Sequence, residues 1–280
     1  MGVLRPARED ELRWIWPAVR AARLFESARE LEAHWRGGPW RVQVSDRREA
    51  VLLQRWRQHL DVLAVRGLWC TERRLPVIIP ALAGVARLHG FRRLLSPLVP
   101  EDSADAYRAC GMHEVESILA LRLERPGHAD DVPAPPGVTL RLGTVDDALE
   151  VVDLDHRAFD EFWRYDHDTI ERYASTERLA LAQTAESVIG YTLCAVSGAE
   201  GTLGRLAVHP DWQGRGVGTT LLQDALHYLG RRGARAVTLS TQVDNAKSRR
   251  LYASAGFREL AGRLLFLMCE DLPGSEEGAS

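Results

Sequence analysis

Lysine is almost missing from this sequence: Lys247 is the only one among 280 residues, and arginine supplies the rest of the positive charge. That scarcity removes one class of phosphate site, because a Walker loop needs GxxxxGK followed by serine or threonine. Cysteine is scarce as well. Cys70, Cys110, Cys194 and Cys269 stand far apart with no CxxC pair or other metal-ligand spacing, so buried free thiols are expected and no metal site is. No run approaches the roughly 18 apolar residues of a membrane helix. The opening MGVLRPARED has no signal-like apolar stretch, and Gly2 is not followed by the serine or threonine of a myristoylation site. A soluble cytoplasmic protein is the expectation. Neither charge sign dominates, and a net charge of -3 argues against nucleic acid or an anionic membrane as partner.

What is present is a globular composition, 45% hydrophobic and 27% charged, in a chain long enough for two domains. The segment Arg125 to Val138, RPGHADDVPAPPGV, carries four prolines and two glycines and reads as an extended linker. Similar text flanks it. LRPAREDEL from Leu4 matches LRLGTVDDAL from Leu140, and LDVLAV ending at Val65 matches LGRLAV ending at Val208, an offset of 143 (208 − 65). AYRACGM places Tyr107 and Gly111 where LYASAGF places Tyr252 and Gly256, an offset of 145 (252 − 107). A near-constant offset marks an internal duplication. The expected domains are 1–125 and 138–272, joined by 126–137 and followed by a disordered tail, 273–280.

In the second half, periodicity predicts a strand at 138–142, one or two helices over 146–176, and strands at 179–184, 188–197 and 202–208. A helix at 219–232, a strand at 236–241, a helix at 246–255 and a last strand at 264–270 follow. The class is α/β with a mixed sheet. Directly after the strand at 202–208, and running into the next helix, lies HPDWQGRGVGTTLL, His209 to Leu222. A strand, a glycine-rich turn and a helix start aim several backbone N–H groups and the positive end of a helix dipole at one point, which suits phosphate. The dinucleotide fingerprint GxGxxG fits poorly: Thr219 stands where its last glycine or alanine belongs, and VTLST occupies the place of its acid.

Gln213, Gly216 and Gly218 do satisfy Q/R-x-x-G-x-G/A. With RLAVHPDWQGRGVGTTLL and DNAKSRRLYASAGF in this order, the sequence resembles the GCN5-related N-acetyltransferase (GNAT) superfamily over most of 138–270. The resemblance implies two tandem GNAT-like domains, each a mostly antiparallel central sheet flanked by helices. It implies acetyl-CoA as co-substrate, an amine acceptor in a small molecule or a protein, and a monomer or homodimer. The backbones of Leu206, Ala207 and Val208 would meet the acetyl-pantetheine arm. Gln213, Gly214, Arg215, Gly216, Val217, Gly218 and Thr219 would cradle the pyrophosphate, and Asn245 would bind or order the pantetheine. Tyr252 would lie near the sulfur and protonate the departing thiolate, and a backbone N–H near Leu206 would stabilise the oxyanion.

The base is not legible. Relatives acting on protein lysines place a glutamate where this chain has Thr202; Glu200 is close by, and a water relay is an alternative. His209 is expected to be structural. Acceptor recognition is expected from AFDEFWRYDHDTIERYAS, where Phe159 and Trp163 with Asp160 and Glu161 would suit a cationic amine. Phe159 and Phe162, three apart on a helix, are equally ordinary core contacts.

The first half has RGLWCTERRLPVIIPALAG where the glycine turn should be, bulky and bearing Pro76, and it has no counterpart of Asn245. It reads as a degenerate copy without cofactor. Six of the eight tryptophans, Trp14, Trp16, Trp35, Trp40, Trp56 and Trp69, fall there and are expected in its core, a domain interface or part of an acceptor groove, the core first. Two alternatives accompany direct acetyl transfer: a catalytically silent acyl-CoA-binding regulatory protein, and an acetyltransferase like the similarly tandem mycothiol synthases.

Overall fold

The computed structural model describes residues 3–25, 27–126, 133–270 and 272. Most of the proline-rich linker's middle, 127–132, and the expected tail 273–280 lie outside the described residues. Along the chain run β1 (Arg5–Pro6), α1 (Leu12–Ala21), α2 (Ala28–Arg36), β2 (Val42–Val44), β3 (Ala50–Trp56), β4 (His59–Trp69), α3 (Leu75–Leu88), β5 (Arg93–Leu95), β6 (Val99–Pro100), α4 (Ala104–Arg108) and β7 (His113–Glu124). There follow β8 (Thr139–Leu142), α5 (Ala148–Ala158), α6 (His167–Thr176), β9 (Arg178–Gln183), β10 (Val188–Ser197), β11 (Glu200–Val208), α7 (Val217–Arg231), β12 (Ala236–Gln242), α8 (Ala246–Ser254), β13 (Arg258–Glu259) and β14 (Leu264–Cys269). Among the described residues, no helix is long and apolar enough to cross a membrane.

The chain forms two compact units, one of Met1–Ser117 with Arg263–Ser280 and one of Ile118–Gly262. These limits differ from those drawn at the proline-rich linker. The reason is pairing: the Ile118–Glu124 part of β7 runs antiparallel to β12 in the second unit, while β14 pairs with β5 and β6 in the first. Composition marks where a chain is loose, whereas a strand belongs to the sheet that satisfies its ladder.

In the second unit the order is β8-β9-β10-β11-β12, with Ile118–Glu124 beyond β12; all neighbours are antiparallel except β11 and β12. Leu222, Leu226 and Leu229 of α7 cover one face, against Leu203, Val237 and Leu239, and Tyr252 of α8 joins them. Val151 and Leu154 of α5 with Ile170 of α6 cover the other, against Leu181, Tyr191 and Leu193. The first unit repeats the plan: α3 packs Ile78 and Leu82 on Leu63 and Val65, and α1 and α2 pack Ile15, Val19 and Leu31 on Val42 and Leu52. Trp14, Trp16, Trp35 and Trp69 flank this second core, Trp40 borders the first, and Trp56 meets Phe266 edge-on.

The duplication is confirmed at the level of register, but with a different alignment of strands. The β3/β4 ladder skips Arg66 and the β10/β11 ladder skips Gly204; the parallel neighbour joins at Val62 in one unit and at Glu200 in the other. Both pairs are separated by 138 (204 − 66, 200 − 62), so matching LDVLAV to LGRLAV slides the strands by five residues. Alternating apolar text looks alike at several offsets, and only the bulge pins it.

Candidate functional site

β11 is held on one side along its length, from Ser197↔Glu200 to Gly190↔Val208. On the other side it pairs with β12 only over Glu200, Gly201 and Thr202. Beyond Thr202 the two parallel strands separate, which opens the sheet beside Leu206, Ala207 and Val208. A cavity of about 730 Å³ fills that opening. It is lined by those three residues and by Gln213, Gly214, Gly216, Gly218, Thr219 and Asn245 from the sequence-derived set, together with Phe159. Lys247, Ser248, Arg250 and Leu251 of α8 complete one wall. Two motifs some 30 residues apart in sequence thus meet at one cavity.

The glycine turn is built as its composition suggests. Gly214 and Gly216 have φ of 75° and 88°, in the left-handed region where a Cβ is strained. Gly216 is the N-cap of α7 and no side chain caps that helix, whereas α6 and α8 are capped by Asp166 and Asn245. The first turn of α7 therefore has no side-chain acceptor for its N–H groups, and Gly216, Gly218 and Thr219 of that turn line the cavity, the condition that favours an anion. Gln213 ties the turn back to the strand: its Nε2 donates to the Val208 carbonyl at 3.2 Å, and its Oε1 accepts from Lys247 Nζ at 3.1 Å. Arg215 leans over the Trp212 ring. Val217 is buried in the core beneath. His209 caps the short turn Pro210–Trp212 through Asp211 N–H, a structural duty.

Asn245 accepts from Ser248 N–H at 3.0 Å through Oδ1, which starts α8. Tyr252 lies nearly two helix turns further on, is 6% exposed and meets Phe257 edge-on at 5.8 Å. It packs in the α7 core, and its neighbour Leu251 rather than Tyr252 lines the cavity. Burial pushes the phenol up to about 12, so it stays protonated at neutral pH.

The acceptor-side stretch is not one helix. α5 ends at Ala158, Phe159 is its extended C-cap, and a single 3-10 turn at Glu161–Trp163 precedes α6. Phe159 and Phe162 are therefore not successive contacts along one α-helical stripe. Asp160 and Glu161 are exposed, and Phe162 and Trp163 meet edge-on.

What occupies the aromatic faces here is a residue the sequence did not single out. Arg205, 7% exposed, lies 3.5 Å from the Phe159 ring centre and 4.2 Å from that of Tyr165. It donates from Nε to Asp155 at 2.9 Å and from Nη2 to the Trp163 carbonyl at 2.7 Å, with Nη2 also 2.7 Å from the Asp155 carboxylate as an ion pair. Asp155, fully buried, also accepts from Tyr191 Oη and from the Tyr165 N–H. Burial works against the charge on Arg205, but Tyr191, Tyr165 and Asp155 together raise its pKa above the ordinary value. Removing either partner of such a buried pair costs about 3–5 kcal/mol. An aspartate inside an otherwise apolar helix face, at Asp155 in ALEVVDLDHRA, was the available signal.

Two further carboxylates lie near β11. Glu200 is gripped by Arg122 in a two-pronged pair at 2.8 and 3.0 Å. Glu177, at the C-cap of α6, sits at the bulge: a Cβ on Gly204 would lie 3.8 Å from its Oε2. All four cysteines are free thiols; only Cys194 is buried, and burial raises the value of each.

In the first unit the counterpart of the glycine turn is shorter as well as bulkier. Five residues, 70–74, join β4 to α3, against eight, 209–216, between β11 and α7. α3 begins Leu75-Pro76, and Pro76 has no N–H to offer.

Residues 148–257 match the family model of the acetyltransferase (GNAT) family. A mycothiol acetyltransferase of Clavibacter michiganensis is 33% identical over 165 residues, 55% of this chain and 54% of that protein. A mycothiol acetyltransferase of Amycolatopsis mediterranei is 32% identical over 209 residues, 61% of this chain and 68% of that protein. The match thus spans about half the length of the first of these relatives. Among solved structures, a tandem GNAT protein from the clavulanic acid biosynthesis pathway superposes with a TM-score of 0.62 at 22% identity, covering 84% of this chain and 83% of that one.

Proposed function

Since the chain belongs to the GNAT family of acetyltransferases, with two tandem domains of that fold, we propose that its second unit transfers an acetyl group from acetyl-CoA to a primary amine. The observation that carries this is the single cavity at which the splayed end of β11, the uncapped N-terminus of α7 and the start of α8 converge. In this reading the turn from Gln213 to Thr219 receives the pyrophosphate and the strand edge at Leu206 to Val208 receives the pantetheine arm. Asn245 orders the pantetheine from the start of α8.

The acceptor nitrogen attacks the thioester carbonyl carbon, forming a C–N bond and an oxyanion stabilised by a backbone N–H near Leu206. The intermediate collapses with loss of the C–S bond, and the Tyr252 phenol, which sits in the core behind the Leu251 wall and has to turn toward the cavity, gives its proton to the leaving thiolate. A phenol raised to about 12 is a weak acid, held neutral until the thiolate develops. The proton released by the amine goes, directly or through water, to Glu177, which sits at the Gly204 bulge beside the reacting strand. Phe159 and Trp163, flanked by Asp160 and Glu161, border the acceptor. The first unit, with its short, proline-bearing turn, serves without cofactor.

Acetyl-CoA titrated by calorimetry, followed by mass spectrometry of acetylated products over peptide N-termini, polyamines, aminoglycosides and thiol-bearing amines, tests the reading. Tight binding with no product from any acceptor would favour the silent acyl-CoA-binding alternative. The names of the relatives make the thiol-bearing amine of a mycothiol-type reaction the first acceptor to try.

A further inference from the structure

The connector between α5 and α6, residues 159–166, pairs with no strand; its internal bonds include Trp163 N–H to Asp160 O, Arg164 N–H to Glu161 O, and Arg164 Nε to Phe159 O. Besides the packing of Phe159 and Tyr165 on the core and the Tyr165–Tyr173 ring contact, three side chains of the unit hold it. Arg205 takes the Phe159 ring, the Trp163 carbonyl and the Tyr165 ring; Asp155 takes the Tyr165 N–H at 2.9 Å; His156 bonds the Tyr165 carbonyl at 2.9 Å. Arg205 is also the residue before Leu206 on β11, and Phe159 lines the same cavity as Leu206.

We infer that Arg205 is a positioning residue that locks the acceptor wall, 159–166, onto the reacting strand. The inference rests on the acetyltransferase reading for the meaning of the wall, while the geometry stands by itself. Its planar guanidinium does two things at once: it forks to Asp155 and the Trp163 carbonyl, and it presents flat faces to two rings. A lysine ammonium could balance Asp155 but could neither fork nor stack in that way. The glycine turn shares none of these contacts, so the wall can be loosened without disturbing the cofactor cradle. Acceptor affinity would thereby be tuned separately from acetyl-CoA affinity.

Hydrogen–deuterium exchange on the full chain and on Arg205→Lys tests this, with acetyl-CoA affinity measured on both. The expected result is exchange about tenfold faster across 159–166, little change in α7, and an acetyl-CoA Kd within about twofold of the parent. A role limited to neutralising the buried carboxylate predicts that lysine restores slow exchange, and that outcome would overturn the inference. Equal acceleration throughout residues 118–262 would overturn it too, since it would mean general loosening. Should Arg205→Lys fail to fold, Phe159→Leu removes one stacking face and leaves the ion pair intact; it is expected to speed the connector alone, and unchanged connector exchange would count against the inference. Absence of acetyl-CoA binding by the parent protein would sink the proposed function and leave the exchange comparison standing.

Discussion

Lys247 Nζ donates to Gln213 Oε1 at 3.1 Å, and Gln213 Nε2 donates in turn to the Val208 carbonyl, so the only lysine of the chain joins α8 to the glycine turn and the turn to β11. The contact is exposed, and it places one positive charge on the wall opposite the N-terminus of α7. Lys247→Met is expected to weaken acetyl-CoA binding by about fivefold at low salt and by less at high salt, as for a solvent-exposed charge contact. Calorimetry at two ionic strengths checks both parts; a loss independent of salt would assign Lys247 a packing role instead.

Gly216 and Gly218 should respond differently to alanine. At Gly216 φ is 88°, and a left-handed alanine costs about 1–2 kcal/mol. At Gly218, inside α7, a Cβ would meet Leu251, Val208 and Leu206 at 3.5, 3.6 and 4.0 Å, ordinary contacts. Gly216→Ala is expected to weaken acetyl-CoA binding about tenfold with α7 intact by circular dichroism, and Gly218→Ala to change it little. Equal effects would mean that the turn does not need its left-handed residue.

Tyr252→Phe keeps the ring against Phe257 and removes only the hydroxyl. A fall in kcat of about a hundredfold with unchanged acetyl-CoA Kd is expected if the phenol protonates the thiolate. Burial raises its value from 10 to about 12, so between those pH values the unfolded chain ionises and the folded one does not. This contribution to stability is present below pH 10 and is lost as pH rises toward 12; the phenylalanine variant should lose less stability over that window in a thermal series.

Glu177→Gln is expected to lower the rate by about a hundredfold with acetyl-CoA affinity retained, the mark of a lost base. Glu200→Gln should disturb the Arg122 pair and leave the chemistry nearly untouched. Steady-state kinetics on both variants decides between them: if Glu200→Gln is the slower enzyme, the base has been placed wrongly.

His34 gives an acid-side prediction in the first unit. Its Nε2 meets the Leu53 carbonyl at 3.0 Å, and burial, with Arg41 and Arg66 nearby, lowers its pKa from 6.5 to about 4. A depressed folded value means that stability is whole above pH 6.5 and is lost as pH falls toward 4, on the order of 3 kcal/mol. His34→Gln, which can still donate to Leu53, should flatten the melting temperature across that interval. A parent protein whose melting temperature does not change there would refute the linkage.

The parts of the site that could be read in the sequence are those whose chemistry is local. A left-handed turn needs glycine at Gly216 whatever surrounds it, an N-cap at Asn245 is written in the residue and the helix that follows, and the strand edge at Leu206 to Val208 is fixed by adjacency to the turn. The acceptor side was less legible. Phe159 and Trp163 stood out as aromatics, but Arg205 looked like one of many arginines, because its importance comes from Asp155, fifty positions away, and from two rings that converge on it. Glu177 was invisible for the same reason: nothing near it in sequence announces the bulge at Gly204.

By itself, then, the sequence determined that there are two copies of one fold, that one copy keeps the glycine turn and the other does not, and which residues form the turn. These depend on backbone conformations and caps set within a few residues. Tertiary structure alone decided which strand completes which sheet, where β11 parts from β12, and what holds the acceptor wall. Each of those depends on hydrogen-bond register or on a buried charge finding its partner, and both are relations between segments that the order of residues does not state.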